Sequence, residues 1–203
     1  MLAALLSSCE KQEKNITVTA EEFHKSVDKV VEIMIHDIFS PPVASRIFAY
    51  PNVAAYEIIA LNNPEYKSLV SQVHDLSPIP KPADTMGLNY QLAALVAHMD
   101  VSKKLIFSEA DMQKHEDSLY AVWSSINKKQ FEVSKAYGLQ VAAHIKAWLD
   151  TDNYKQTRTM PKFTVESANP ARWQPTPPAY MDGIEPHWSK IRPFVIDSAA
   201  QFK

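Results

Sequence analysis

The clearest pattern of apolar and polar positions lies between residues 19 and 40. Thr19 is followed three residues later by Glu22, the spacing of a capping box, in which both side chains bind free backbone amides at the start of a helix. The apolar residues that follow recur at the spacing of one buried helical face: Phe23, Val27, Val30, Val31, Met34, Ile35 and Ile38. The sequence therefore predicts a first helix, which Ser40-Pro41-Pro42 brings to an end.

Three further stretches in the first half of the chain have helical patterns. Residues 43–61 have a helical composition, with Pro51 predicted to kink or break the helix. Residues 65–76 predict a short helix, and residues 77–85 contain three prolines that indicate a stiff connector. An apolar stripe then marks a helix from Leu88 to Ile106.

Residues 111–149 form the longest stretch of helical spacing. They contain no proline and predict either one long helix or two helices joined near residues 127–130. Gly138 lies inside this stretch, where glycine costs about 1 kcal/mol relative to alanine. We therefore expect Gly138 to permit close helix packing.

Prolines divide the chain into regions. Of the 14 prolines, seven lie between Pro161 and Pro193, and none lies in residues 83–160. The predicted fold is all-α, a helical bundle of about five helices followed by a proline-rich extended C-terminal segment. The predicted organisation is a signal remnant over residues 1–9, a tether over 10–18, a helical domain over 19–160 and the proline-rich segment over 161–203.

Composition excludes two classes of function. The chain has only three glycines in 203 residues, far apart from one another. Phosphate-binding loops need at least two glycines within one turn, so dinucleotide fingerprints and P-loops are excluded. The formal net charge is -2, and no basic stripe is present, so we expect no nucleic-acid partner.

The N-terminal residues resemble a bacterial lipoprotein signal. Leu6-Ser7-Ser8 precedes Cys9, the only cysteine, and resembles a lipobox, although the apolar run before it is short and has no preceding Lys or Arg. The resemblance implies a lipid on Cys9, a membrane anchor and a location in the bacterial cell envelope. The alternative is an apolar N-terminus with a cysteine there by chance.

Several acid–histidine pairs have the spacing of metal ligands. Glu21 and His24 match the Glu-x-x-His arm of a di-iron helical bundle, and Glu32 and His36 form an imperfect second arm. Since acids are also favoured in the first turn of a helix, we interpret these pairs as surface residues and predict no metal site. The i, i+4 pair of Asp111 and His115 has the same interpretation.

Three other features have both a structural and a functional interpretation. His98 lies near the apolar stripe of its helix, where a partly buried histidine with satisfied hydrogen bonds is expected. Arg46 lies in an apolar helix, and we expect it to donate hydrogen bonds between elements rather than bind an anion. The PxxP spacing of residues 175–178 suits polyproline recognition, but we expect a rigid strap docked on the protein's own helices.

Two segments carry a resemblance to a known family. One runs from Pro41 to Tyr50 and continues through Ala54-Ala55-Tyr56-Glu57. The other is Arg172-Trp173-Gln174-Pro175-Thr176-Pro177-Pro178, followed by Pro186-His187-Trp188 and Arg192-Pro193-Phe194. With the lipobox, they resemble the N-terminal half of bacterial proteins of the vanadium-dependent haloperoxidase and type 2 phosphatidic-acid phosphatase superfamily, over most of residues 20–203.

This resemblance implies an all-helical fold and, in full-length relatives, an oxyanion site. That site binds phosphate or vanadate through a lysine, two arginines and the amides of a Pro-Ser-Gly-His turn, because the charge is spread over several oxygens. One histidine attacks phosphorus or ligates vanadium, and a second acts as acid and base.

None of the family's three catalytic motifs is present in this chain. The only Arg-Pro, Arg192-Pro193, has Glu185 where the motif requires lysine, and no Ser-Gly or Gly-His occurs. The only Ser-Arg, Ser45-Arg46, has Asn52 where the motif requires histidine. We therefore predict no catalytic residue and no cofactor in this chain; vanadate or phosphate belongs to the full-length family.

We interpret the chain as the truncated N-terminal region of a phosphatase- or haloperoxidase-like lipoprotein that stops before its active site and is itself catalytically inert. Helices that pack on a missing catalytic half are expected to leave an apolar surface exposed. The expected partners are therefore that half, a second copy of the chain, and a membrane through Cys9. The alternative is a non-enzymatic helical surface lipoprotein that binds a ligand or partner.

Overall fold

The computed structural model describes residues 14–198 and 200–202. Their secondary structure is helical, without a β-strand, which confirms the all-α prediction. Five long helices are followed by one short helix and a 3-10 turn: α1 (Ala20–His36), α2 (Pro41–Asn62), α3 (Tyr90–Lys103), α4 (Glu109–Ile126), α5 (Lys128–Leu149), α6 (Tyr154–Thr157) and the turn Trp188–Lys190. No described helix is long and apolar enough to cross a membrane.

Helix α1 begins at the predicted capping box. The Thr19 hydroxyl accepts a hydrogen bond from the Glu22 amide at 3.2 Å, and the Glu22 carboxylate accepts one from the Thr19 amide at 2.7 Å. Val30, Ile33 and Met34 are buried. The prediction that Ile35 and Ile38 share this buried face is wrong, because both side chains are largely exposed.

Helix α2 begins at Pro41, two residues before the predicted start. Proline is favoured in the first helical turn because its missing N–H has no helical partner there. The helix continues through Pro51, so of the predicted kink or break the break does not occur. The side chains on the face of α2 that points into the bundle are buried against α3 and α5.

The predicted helix over residues 65–76 does not form. This segment is a series of turns around the buried Glu57 carboxylate, which accepts hydrogen bonds from the Leu69 amide and the Ser68 hydroxyl, both at 2.6 Å. Ser71 and Asp75 have positive φ angles, which helical residues do not adopt. Tertiary contacts with α2 therefore determine the backbone here, not local helical propensity.

The centre of the bundle is the contact of α3 with α2 and α5. A Cβ built on Gly138 of α5 would lie 2.5 Å from the backbone oxygen of Ala93 and 2.9 Å from Val96 Cβ, both on α3. The expected role of Gly138 in close packing is thus confirmed. The stretch 111–149 is two helices, because the Asn127 side chain accepts a hydrogen bond from the Gln130 amide and caps α5.

The residues before α1 lie against the bundle where the structure describes them. The Ile16 side chain is buried, its amide donates to Gln130 Oε1 at 2.6 Å, and its carbonyl accepts from the Asn89 side chain at 2.7 Å. Cys9 and residues 10–13 of the predicted tether lie outside the described residues, so lipidation of Cys9 stays a prediction.

Candidate functional site

A buried ion pair lies where α2 meets the turn after α5. Arg46 Nε donates to Asp152 Oδ2 at 2.6 Å, and the two side chains are only 8% and 2% exposed. The Tyr50 hydroxyl donates to the same oxygen at 3.0 Å, and the Tyr154 amide donates to Oδ1 at 2.9 Å. The expectation that Arg46 is a donor between elements is confirmed.

Arg192 fastens the C-terminal segment onto this pair. Its guanidinium donates to the Trp148 carbonyl and the Thr151 hydroxyl, both at 2.8 Å, and to Tyr50 Oη at 3.3 Å. The guanidinium carbon also lies 4.7 Å from the centre of the Trp148 ring. Arg192, the arginine of the only Arg-Pro dipeptide, therefore uses its hydrogen-bond donors to hold the C-terminal segment on the helices.

Backbone contacts extend this attachment along the segment. The Arg192 amide donates to the Asp152 carbonyl at 2.9 Å, and the His74 amide donates to the Phe194 carbonyl at 2.8 Å. The Phe194 ring packs against Tyr50 and Trp148. Residues 188–194 thus dock on the helices.

The Tyr50 phenol beside the Arg46–Asp152 pair resists ionisation. Burial, with the nearby Asp152 carboxylate as a second cause, raises the pKa of Tyr50 far above its ordinary value. The phenol therefore remains protonated and acts as a hydrogen-bond donor. In this cluster Tyr50 therefore joins elements of the fold and does not act as a base.

A second group of partly buried charges links α3, α4 and α5. The Lys103 ammonium pairs with the Glu116 carboxylate, which also accepts a hydrogen bond from the Tyr120 hydroxyl. Lys146 Nζ lies 2.6 Å from Asp100 Oδ2. Each of these lysines thus has a carboxylate partner within the bundle.

Binding of a phosphate- or vanadate-sized oxyanion requires several cationic donors directed at one space. The buried and partly buried cations described above do not meet this requirement, since carboxylates hold Arg46 and Lys103, and backbone and hydroxyl oxygens hold Arg192. Glu185, at the position where the motif requires lysine, accepts two hydrogen bonds from Arg158 at 2.6 and 2.5 Å. The described residues do not fit the oxyanion cofactor of the resembled family.

The acid–histidine pairs do not converge on a common centre. Within residues 14–198 and 200–202, no group of three His, Cys, Asp or Glu side chains could hold a metal ion. Glu21 pairs with Lys25 and Glu32 with Lys29, both on the surface of α1. His36 Nδ1 contacts Asp37 at 3.1 Å, and His115 shares a hydrogen bond with the Ser26 hydroxyl at 2.8 Å.

His98 is more deeply buried than expected. Its side chain is 2% exposed, its ring centre lies 5.0 Å from that of Phe23, and its Nδ1 has no hydrogen-bond partner among the described residues. Burial, with a smaller contribution from His115, lowers the pKa of His98 from 6.5 to about 4. The neutral ring is therefore part of the core between α1, α3 and α4.

This burial predicts a loss of stability in acid. Because the unfolded chain takes up a proton near pH 6.5 and the folded chain only near pH 4, the contribution of neutral His98 is complete above pH 6.5 and is lost as the pH falls through 4. The loss amounts to about 3 kcal/mol at most. Urea unfolding between pH 7 and pH 4 measures it. His98→Leu should flatten the profile, and an unchanged profile in that variant would contradict the assignment.

Residues 161–186 form an exposed arm. Phe163 and Trp173 pack edge to face with ring centres 5.5 Å apart, and they line a cavity of about 560 Å³ together with Pro177, Pro178 and Met181. The expectation that the PxxP segment docks on the bundle is wrong, since residues 176–178 are exposed. The residues that follow the arm pack on the helices.

Sequence reasoning missed Asp152, on which Arg46, Tyr50 and the Arg192 backbone converge. The sequence gives only a weak signal for Asp152, because it is an aspartate shortly after a long helix and lies 106 residues from the arginine with which it pairs. It also missed the strained end of α1, where Ile38 has a φ of 56°.

Comparison with known proteins gives an informative match among solved structures. No protein-family model and no curated protein matches the chain. A solved structure, the crystal structure of a bacterial vanadium-dependent iodoperoxidase, superposes with a TM-score of 0.90 at 66% sequence identity. The match covers 95% of this chain and 46% of the iodoperoxidase chain. The chain is therefore a partial, helical member of the vanadium-dependent haloperoxidase family, spanning about half the length of the relative that it matches.

Proposed function

We propose that this chain is the helical scaffold of a haloperoxidase-type protein and that it catalyses neither halide oxidation nor phosphate-ester hydrolysis. One observation carries the proposal: the buried Arg46 and the partly buried Arg192 both bind groups of the chain itself, Arg46 the Asp152 carboxylate and Arg192 the Trp148 carbonyl and the Thr151 hydroxyl. An oxyanion could recruit them only by displacing these partners, which would leave a buried carboxylate unpaired.

The scaffold role is supported by how the chain is held together. The interior contains a continuous apolar core of α2, α3 and α5, and Arg192 fixes residues 188–194 on its surface. Such an arrangement provides a rigid surface on which further chain can assemble, and rigid elements position functional groups more accurately than loops do. Since the iodoperoxidase is more than twice as long as the matched region, we assign the oxyanion chemistry to residues outside this chain.

The proposal predicts no activity of the purified chain. Incubated with vanadate, hydrogen peroxide and iodide, it should produce iodine no faster than vanadate alone, and it should not hydrolyse a generic phosphate ester. The bacterial iodoperoxidase assayed under the same conditions is the positive control. Vanadate-dependent turnover that disappears in an Arg46→Met variant would contradict the proposal.

A second candidate, a ligand-binding module, is favoured by a groove between α1, α2 and α3. The groove has a volume of about 570 Å³ and is lined mainly by apolar side chains, among them Phe23, Tyr56 and Ile59. Volumes and linings of this kind are typical of small-molecule sites. A saturable thermal shift with an apolar ligand, abolished by Ile59→Glu, would favour this candidate over the scaffold.

A further inference from the structure

The end of α1 presents an apolar surface to solvent. Ile35, Ile38 and Phe107 are 73%, 88% and 77% exposed, and Phe39 lies beneath Phe107. We call these four residues the α1 knob. The helical spacing of Ile35 and Ile38 predicts burial, yet nothing within the described residues covers them.

The backbone at Ile38 adopts a conformation that is unusual for isoleucine. The Ile38 amide donates to the Ile35 carbonyl at 3.2 Å and the Phe39 amide to the Met34 carbonyl at 3.1 Å, which is the Schellman pattern at a helix end. The residue in the left-handed conformation of this motif is usually glycine. Here it is isoleucine with a φ of 56°, and a β-branched residue is a marked outlier in that region.

Contacts among the described residues do not offset the energetic cost of the Ile38 conformation. The Ile38 side chain is almost fully exposed, so it gains little from burial in the bundle. Strained residues persist where the conformation serves a function, such as recognition. An exposed apolar side chain in this conformation therefore indicates a contact surface.

The knob is also held rigidly. The Asp37 carboxylate accepts hydrogen bonds from the Phe107 and Ser108 amides, both at 2.9 Å, and from the Ser108 hydroxyl at 2.5 Å. The Phe39 and Phe107 rings stack with centres 4.6 Å apart. These contacts fix the start of α4 against the end of α1, and a preordered surface loses little conformational entropy on association.

We infer that the α1 knob is a docking surface for the part of a vanadium-dependent haloperoxidase chain that lies outside the matched region. This inference rests on the proposed scaffold function. The matched iodoperoxidase has the same bundle, with a TM-score of 0.90, and more than half of its chain lies beyond it. A body of that size has to pack on the bundle, and a rigid, strained, apolar surface is suited to receive it.

Replacing Ile38 with glycine separates a role in docking from a role in the fold. In this chain alone, Ile38→Gly removes the strain and should raise the Tm by about 2–4 °C. A lower Tm would show that the side chain serves the bundle itself, and it would overturn the inference.

The docking itself is tested in a chimera in which this chain replaces the matched 46% of the iodoperoxidase. There Ile38→Gly should lower the Tm, opposite to its effect on the chain alone. Ile38→Asp and Phe107→Asp should lower it further, whereas Met86→Asp and Val122→Asp, at exposed apolar positions outside the knob, should leave it nearly unchanged.

The outcomes distinguish this inference from the scaffold proposal. If all four aspartate variants change the Tm of an active chimera equally, the docking inference is wrong and the scaffold proposal is unaffected. A chimera that is folded but inactive counts against the scaffold proposal. If this chain alone forms a dimer that Ile38→Asp abolishes, and the chimera is insensitive to the knob variants, the occupant is a second copy and the inference is wrong.

Discussion

Replacing Asp152 with alanine is expected to lower the free energy of unfolding by about 3–5 kcal/mol, because it leaves the buried Arg46 charge without a partner. The substitution also removes the acceptor of the Tyr50 hydroxyl and of the Tyr154 amide. Urea denaturation monitored by tryptophan fluorescence measures the change, and Trp148 lies beside the altered cluster.

The matched control is Asp150→Ala, two residues earlier. Asp150 pairs with Lys155 at 2.7 Å, but this pair is on the surface, where ion pairs contribute about 0–1 kcal/mol. Similar losses in the two variants would show that burial of the Arg46–Asp152 pair is not what matters. Joint replacement of Arg46 by Met and Asp152 by Leu should recover much of the loss, since neither charge is then left unpaired.

Replacing Gly138 with leucine is expected to cost about 3 kcal/mol or more, because it overpacks the contact between α3 and α5. The first added atom would meet the Ala93 carbonyl oxygen at 2.5 Å. That oxygen belongs to the backbone of α3, so the clash is relieved only by moving the helix. Thermal unfolding followed by circular dichroism measures the effect.

Gly183→Leu is the control for this prediction. A Cβ at Gly183 would lie 3.1 Å from the Phe163 side chain, which can rotate away on the exposed arm. We expect a change within about 0.5 kcal/mol, as for ordinary surface substitutions. A loss at Gly183 as large as that at Gly138 would contradict the claim that close helix packing, rather than glycine itself, sets the cost.

Features determined by neighbouring residues could be predicted from the sequence. The capping box of Thr19 and Glu22 acts over three residues, so its spacing is enough to locate it. Gly138 was identifiable because glycine is unfavourable inside a helix unless packing requires it.

Features determined by distant contacts could not be predicted. Residues 65–76 have a helical composition, but the buried Glu57 carboxylate binds their backbone amide and hydroxyl groups and holds them in turns. Ile35 and Ile38 continue the apolar spacing of α1, yet the helix ends at His36 and the core does not cover these two side chains. Periodicity identifies an apolar face but not how much of it the chain itself covers.

The candidate site likewise has features that the sequence predicts and features that depend on distant contacts. The sequence alone shows that Arg192 and Arg46 lack the lysine and histidine of the family's motifs. It does not show what these arginines do instead, because Arg46 and Asp152 are 106 residues apart. Only the folded structure, in which the turn after α5 packs against α2, shows that these arginines join elements of the chain.

The central proposal is that this chain shares the haloperoxidase bundle and that its described residues form no oxyanion site. Vanadate binding tests it most directly. Equilibrium dialysis of the purified chain against vanadate, alongside the bacterial iodoperoxidase, should show no saturable uptake by the chain over concentrations at which the iodoperoxidase is fully loaded. Binding of one vanadate per chain, weakened by Arg46→Met or Arg192→Met, would contradict the proposal.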